Sequence, residues 1–165
     1  MEFAVEMLNI TKRFGPLVAN DQVNFQLKYG EVHALLGENG AGKSSLMSIL
    51  FGLYKADEGE IYINGEKANI NNPNDANKYR IGMVHQHFKL VDVYTVLENI
   101  VLGEESTKNG FIDFEESRKR VMQIASQYHL FVDLDAKIED ISVGMQQRVE
   151  ILKMPYRDAD ILIFD

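Results

Sequence analysis

The sequence predicts an α/β fold: a mixed core that carries an antiparallel sheet layer and encloses a helical insert. Three observations predict it. Residues 4–10 and 23–27 alternate apolar and polar side chains, as half-buried strands do. A glycine-rich stretch at 37–44 stands between the apolar run 32–36 and the run 45–51, in the order strand, loop, helix. From Thr95 onward the apolar spacing becomes helical, until residues 161–164 return to a continuous apolar run that ends in Asp165.

Taken in order, the first 30 residues read as strands, and Lys28-Tyr29-Gly30-Glu31 turns the chain into the apolar run 32–36. That run reads as a buried strand and 45–51 as a helix. Asp57-Glu58-Gly59 reads as a turn. Residues 60–65 read as a strand ending in an Asn64-Gly65 hairpin turn. Residues 81–84 form a further short buried strand running into His85-Gln86-His87. Asp113 with Glu116 marks a helix start, followed by Val121, Ile124, Ala125 and Tyr128 on one face. A second helix starts near Ser142 and places Met145, Val149, Leu152 and Tyr156 on one face, with Pro155 within or at its end. Residues 161–164 read as a central parallel strand. Glu115 and Glu116 beside Arg118, Lys119 and Arg120 read as a solvated helix face with pairing between neighbouring turns.

Bulk properties narrow the function. The chain has 165 residues, enough for one domain, and a net charge of −8, which argues against a free-standing nucleic-acid binder. It has no cysteine, so disulfides and thiolate metal sites are excluded. The N-terminus carries early acids and reads as no signal peptide, and nowhere do 18 apolar residues run together.

The chemistry begins at Gly37, Glu38, Asn39, Gly40, Ala41, Gly42, Lys43 and Ser44, which fit G-x-x-x-x-G-K-[ST] between a strand and a helix. Glycines let backbone N–H groups curl around phosphate oxygens, and the helix points its positive end at the same anion. Lys43 supplies charge near the β and γ phosphates; the Ser44 hydroxyl suits Mg²⁺, and Ser45 opens the helix. The motif implies a bound nucleoside triphosphate. Asp165, a carboxylate ending an apolar strand downstream of such a loop, is a second candidate for the Mg²⁺ shell. Gln86, at a strand end, can add an oxygen ligand to Mg²⁺ or position water, or be a plain loop residue. Ser142 followed by Gly144 at a helix start offers donors to an anion, or is simply an N-cap. His85 and His87 flank Gln86 with no third metal ligand in view, and His33 and His129 read as structural.

The phosphate loop, Gln86, the segment at 142–146 and the apolar strand into Asp165 resemble, in order and context, the ATP-binding cassette proteins. The likeness covers essentially the whole chain. Residues 83–88 and 142–150 look most like the first cassette of importers for nucleosides and simple sugars, whose ATPase subunits carry two fused cassettes. The resemblance implies a P-loop NTPase with a RecA-like core and antiparallel β layer (residues 1–87 and 158–165) plus a helical subdomain (88–157), incomplete at its C-terminus.

It also implies roles. Phe14 would stack on adenine, the alternative being a core Phe beside the Gly15-Pro16 turn. Residues 37–44 would be the Walker A loop, Gln86 the Q-loop glutamine and Asp165 the Walker B aspartate. Ser142, Val143, Gly144, Met145 and Gln146 would form the signature that contacts ATP on an opposing cassette. Val143 and the later position of the glutamine depart from the commonest Ser-Gly-Gly-Gln form. The implied ligands are ATP and Mg²⁺. The implied partners are membrane-spanning permease subunits, a second cassette packed head-to-tail and, indirectly, a substrate-binding protein, with no nucleic acid. The implied location is the cytoplasmic face of the cell membrane. The resemblance places the catalytic glutamate directly after Asp165 and a switch-loop histidine further on. The expectation is therefore a partial copy in which the 165 residues alone hydrolyse little or no ATP; a non-hydrolysing module that pairs with a complete cassette is the alternative.

Overall fold

The computed structural model describes residues 2–84, 89–108 and 110–165, and the chain divides into two compact units. The first comprises residues 1–82 with Asp165, the second residues 83–164.

In the first unit, β1 (Phe3–Phe14) and β2 (Leu17–Lys28) pair antiparallel and meet at Phe14↔Leu17. Both run longer than the alternation predicts, because β1 is paired along both edges and its ladder passes through register shifts. Ala4, Val5, Met7 and Ile10 are buried, whereas Val23, Phe25 and Leu27 of β2 are half-buried. Next come α1 (Lys43–Leu50), β3 (Glu58–Ile63), β4 (Glu66–Ala68) and α2 (Pro73–Lys78). The sheet order β2-β1-β3-β4 is the predicted antiparallel layer. Asn64 and Gly65 both take positive φ, as a two-residue hairpin between β3 and β4 requires. Asn72 caps α2 by accepting from the Asp75 N–H at 3.1 Å.

Two expectations fail in this unit. Residues 32–36 form no strand, and Val32 is 99% and Leu36 92% exposed. A strand exists only as part of a ladder, and among the described residues nothing pairs with this run. Glu58 and Gly59 belong to β3 rather than to a turn. Gly59 lies where the β1–β3 register slips between Leu8 and Thr11, and a Cβ there would stand 2.6 Å from the carbonyls of Leu8 and Asn9. The glycine marks a bulge.

The chain passes between the units within β5 (Ile81–Val84), all four residues of which are buried. His85, Gln86, His87 and Phe88 lie outside the described residues.

The second unit contains α3 (Val96–Val101), the short ribbon β6 (Thr107–Lys108) and β7 (Phe111–Ile112), α4 (Phe114–Gln127), α5 (Val143–Tyr156) and β8 (Ile161–Phe164). Helix α3 has only 6 residues, too few to persist alone. It is held by a capping box, in which Thr95 and Glu98 each bond the other's backbone N–H, and by burial of Val96, Leu97, Ile100 and Val101. These side chains join Val121 of α4 and Val149, Leu152 and Tyr156 of α5 in one core. Each such aliphatic side chain contributes about 1.5–3 kcal/mol by leaving water.

Helix α4 starts as predicted, with Asp113 accepting from the Glu116 N–H at 3.1 Å. Tyr128 is exposed at its C-cap, so it does not extend the face of Val121 and Ala125. Arg118 pairs with Asp135 and Arg120 with Asp158, across the fold rather than along the helix. Arg120 also donates to the Tyr156 carbonyl at 2.7 Å, with its guanidinium 4.7 Å from that ring's centre. Pro155 sits inside the last turn of α5, where it cannot supply the N–H that would bond the carbonyl one turn earlier. Strands β5 and β8 form a two-stranded sheet. Leu162 and Phe164 of β8 are exposed and Ile161 and Ile163 buried, so β8 has one open face instead of the two-sided burial of a central strand.

Candidate functional site

Residues 37–42 lie between Leu36 and α1, and Lys43 and Ser44 belong to the first turn of α1; the strand expected ahead of the loop is not formed. Gly42 is the N-cap of α1 and adopts φ 84°, a left-handed conformation that costs other residues about 1–2 kcal/mol. A Cβ at this position would stand 2.2 Å from the Ala19 carbonyl oxygen. Glycine is therefore demanded twice, by backbone conformation and by β2 lying against it. Gly40 also takes positive φ, and around it a Cβ would meet nothing within 4 Å, so that side of the loop is open.

No side chain caps α1, and no acidic residue sits in its first turn. The first amides of the helix thus remain available as donors, with the positive end of the helix dipole behind them. Lys43 folds back over the loop and donates to the carbonyls of Gly37 at 2.7 Å and Glu38 at 2.8 Å. Ser44 Oγ donates to Asp165 Oδ1 at 2.7 Å. Both residues are exposed, so a hydroxyl and a carboxylate, each a hard oxygen ligand, converge at an accessible point. The pair fits Mg²⁺, and Gln86, the third predicted ligand, lies outside the described residues.

Phe14 ends β1 and is 39% exposed, which excludes the core alternative. Tyr54 meets it edge-on with ring centres 5.1 Å apart, and the Lys12 ammonium lies 5.4 Å from its centre. The exposed ring is thus held from two sides.

Three supporting residues escape a motif reading. Asn20, buried on β2, donates from Nδ2 to the Gly42 carbonyl at 3.1 Å, and its Oδ1 finds no partner among the described residues. Such an orphan costs about 1–3 kcal/mol, carried here directly beneath the phosphate loop. A polar residue at a buried strand position was the available signal. Tyr54 gives none. Asp57 accepts from the Arg13 N–H at 2.6 Å and from Lys12 at 3.2 Å, fastening the end of β1 that presents Phe14. The Arg13 N–H first, and then Lys12, hold the Asp57 carboxyl below the usual carboxylate range.

In the second unit, Ser142 is the N-cap of α5 and accepts from the Met145 N–H at 3.4 Å. Val143 is exposed, and a Cβ on Gly144 would meet nothing within 4 Å, so nothing in the described chain explains a glycine there. Gln146 Nε2 is engaged with the Ile138 carbonyl at 3.1 Å, and Met145 is half-buried. Among the described residues no group of His, Asp and Glu has the arrangement of a protein-only metal site, and no helix is long and apolar enough to cross a membrane.

Residues 20–165 match the family model for the ABC transporter. The chain is 61% identical over 165 residues to the guanosine import ATP-binding protein NupO of Bacillus subtilis, covering 100% of this chain and 32% of that protein. It is 57% identical over 164 residues to the nucleoside import ATP-binding protein NupA of Lactococcus lactis, covering 99% of this chain and 32% of that one. The chain thus spans about a third of the length of these curated relatives. Among solved structures, a nucleotide-free ATP-binding cassette from an ABC transporter superimposes with TM-score 0.83 at 29% identity, covering 100% of this chain and 69% of that one. The dimeric cassette MJ0796 bound to ADP and Pi gives 0.78 at 31% identity, covering 98% and 73%.

Proposed function

Because the chain belongs to the ABC transporter family, we propose that it is the first ATP-binding cassette of an importer subunit that couples Mg²⁺–ATP hydrolysis to uptake of a nucleoside or simple sugar. The observation that carries the proposal is the Ser44–Asp165 hydrogen bond at the mouth of an open glycine loop. The likeness to NupO and NupA, import proteins for guanosine and for nucleosides, supports the nucleoside half of that solute class.

In this reading the amides of 37–45 and the Lys43 ammonium bind the triphosphate, and Phe14 stacks on the adenine. The ammonium leaves the carbonyls of Gly37 and Glu38 for phosphate oxygens, exchanging neutral acceptors for charged ones. Ser44, Asp165 and Gln86 hold Mg²⁺, which when bound neutralises the charge of the β and γ phosphates. Ser142, Val143, Gly144, Met145 and Gln146 present the start of α5 to ATP on an opposed cassette. The glutamate that activates water is expected directly after Asp165, in the complete protein. The nucleotide core is residues 1–87 with 158–165, and 88–157 is the helical subdomain. Permease subunits anchor the assembly at the cytoplasmic membrane face, and a substrate-binding protein acts through them.

The test is co-purification of the complete protein with a multi-spanning membrane partner, followed by transport of radiolabelled nucleosides and pentoses into vesicles. ATP-dependent uptake supports the proposal. A complete protein that binds ATP but associates with no membrane subunit contradicts it.

A further inference from the structure

Residues 89–91, a short way downstream of Gln86, are held in an unusual way. They have no secondary structure, yet the backbone groups of Lys89 and Val91 are bonded by buried side chains of α3 and α5. Glu150, 3% exposed, accepts from the Lys89 N–H at 2.9 Å. Lys153, 9% exposed, reaches the Lys89 carbonyl at 3.4 Å and the Glu150 carboxylate at the same distance. Asn99, 1% exposed, brackets Val91: Oδ1 accepts from its N–H at 2.7 Å and Nδ2 donates to its carbonyl at 3.0 Å.

Burying a carboxylate and an ammonium side by side rarely adds stability, since well-packed apolar residues do as well or better. Burial in fact drives Lys153 below the ordinary lysine range despite its acidic neighbour. What this pair does, and apolar residues could not, is hold the peptide of residue 89. The place of 89–91 is therefore dictated by α3 and α5 instead of by a strand ladder. Helix α5 is also the helix that begins at Ser142.

We propose that Glu150, with Lys153 and Asn99, is a positioning residue that fastens the chain just downstream of Gln86 to the helix carrying the signature segment, so that the two move as one piece during turnover. This rests on the roles proposed above for Gln86 and for residues 142–146. No part of the clamp touches nucleotide in that reading, so its loss alters turnover and spares ATP affinity.

The experiment uses the complete protein and the double substitution E150L/K153M, which removes the α5 arm of the clamp, leaves Asn99 in place and keeps the core filled. The expected result is a melting temperature close to the parent's and an ATP Kd within about twofold, with kcat about tenfold lower. E150Q, which keeps an acceptor for the Lys89 N–H, is expected to restore kcat to within about threefold of the parent. A folded E150L/K153M with parental kcat overturns the proposal, as does an E150Q that is as slow as the double variant. Amide hydrogen exchange on the parent adds a check that needs no variant. Protection at Lys89 and Val91 supports the clamp, and exchange at the rate of an unstructured chain overturns it. A parent that does not bind Mg²⁺–ATP would instead refute the function proposed above; a parent that turns over ATP beside an unaffected, folded double variant refutes the clamp alone.

Discussion

Ser44 and Asp165, 121 positions apart in the chain, meet in a 2.7 Å hydrogen bond from hydroxyl to carboxylate. One lies in the first turn of a helix after a glycine loop, and the other directly follows an apolar strand. In the function proposed above the pair supplies hard oxygen ligands to Mg²⁺, which makes Mg²⁺ dependence the property most sensitive to either residue. In the complete protein, S44A and D165N are each expected to reduce the Mg²⁺-dependent gain in ATP affinity roughly 10- to 100-fold. Binding measured in EDTA should change little. Calorimetric titration with and without Mg²⁺ checks this; an unchanged Mg²⁺ increment in both variants would remove the pair from the metal shell.

Gly42 couples the loop to β2. G42A places a methyl 2.2 Å from the Ala19 carbonyl oxygen on a residue with φ 84°, so it should destabilise the protein by about 2–5 kcal/mol. A denaturation curve reads this directly. G40A, with open space around its Cβ, bears only the backbone term of about 1–2 kcal/mol. Equal losses in the two variants would contradict the close approach of β2.

Much of this was legible in the sequence, and the residues show why. Alternation located β1 and β2, Asn64-Gly65 announced its hairpin, and Asp113 and Ser142 marked helix starts, because each of these signals acts over a few neighbouring residues. The glycine loop ahead of α1 was legible because Gly40 and Gly42 take positive φ, which other residues avoid. Pairing across the chain was not. The run at 32–36 has the composition of a buried strand, but composition cannot say which strand lies beside it. Gly59 looked like a turn, and only the β1–β3 register reveals a bulge. Arg118 and Arg120 found partners at Asp135 and Asp158, which helical spacing cannot indicate. The roles of Asn20, Asp57 and Glu150 each depend on a contact with distant backbone.

Phe14 should matter to the base and leave the phosphates alone. F14L removes the aromatic face but keeps apolar bulk, so ATP affinity should fall roughly 3- to 10-fold. Affinity for inorganic tripolyphosphate should stay at the parental value. Competition binding with both ligands makes the comparison, and an equal loss for both would mean that the substitution disturbs the loop rather than base stacking.

Asp57 gives the pH dependence its sign. Its carboxyl is held below the usual range by the Arg13 N–H and Lys12, so its contribution to stability is present above the unfolded-state pKa, about 4. The contribution disappears as pH falls through the lower folded-state value. D57N keeps an acceptor but loses the charge. The parent should therefore melt higher than D57N at neutral pH, and the gap should close as pH drops below about 4. Calorimetry across that range checks it; a gap that widens in acid would reverse the assignment.

The most direct test of the account is equilibrium binding of Mg²⁺–ATP to the complete protein and to its K43A variant. The Lys43 ammonium rests on the carbonyls of Gly37 and Glu38 and, in the function proposed above, meets the triphosphate. The account predicts saturable binding in the parent and a loss on the order of 100-fold in K43A, at an unchanged melting temperature. Equal affinity in the two proteins would contradict it, and the glycine loop would then be a turn and not a phosphate site.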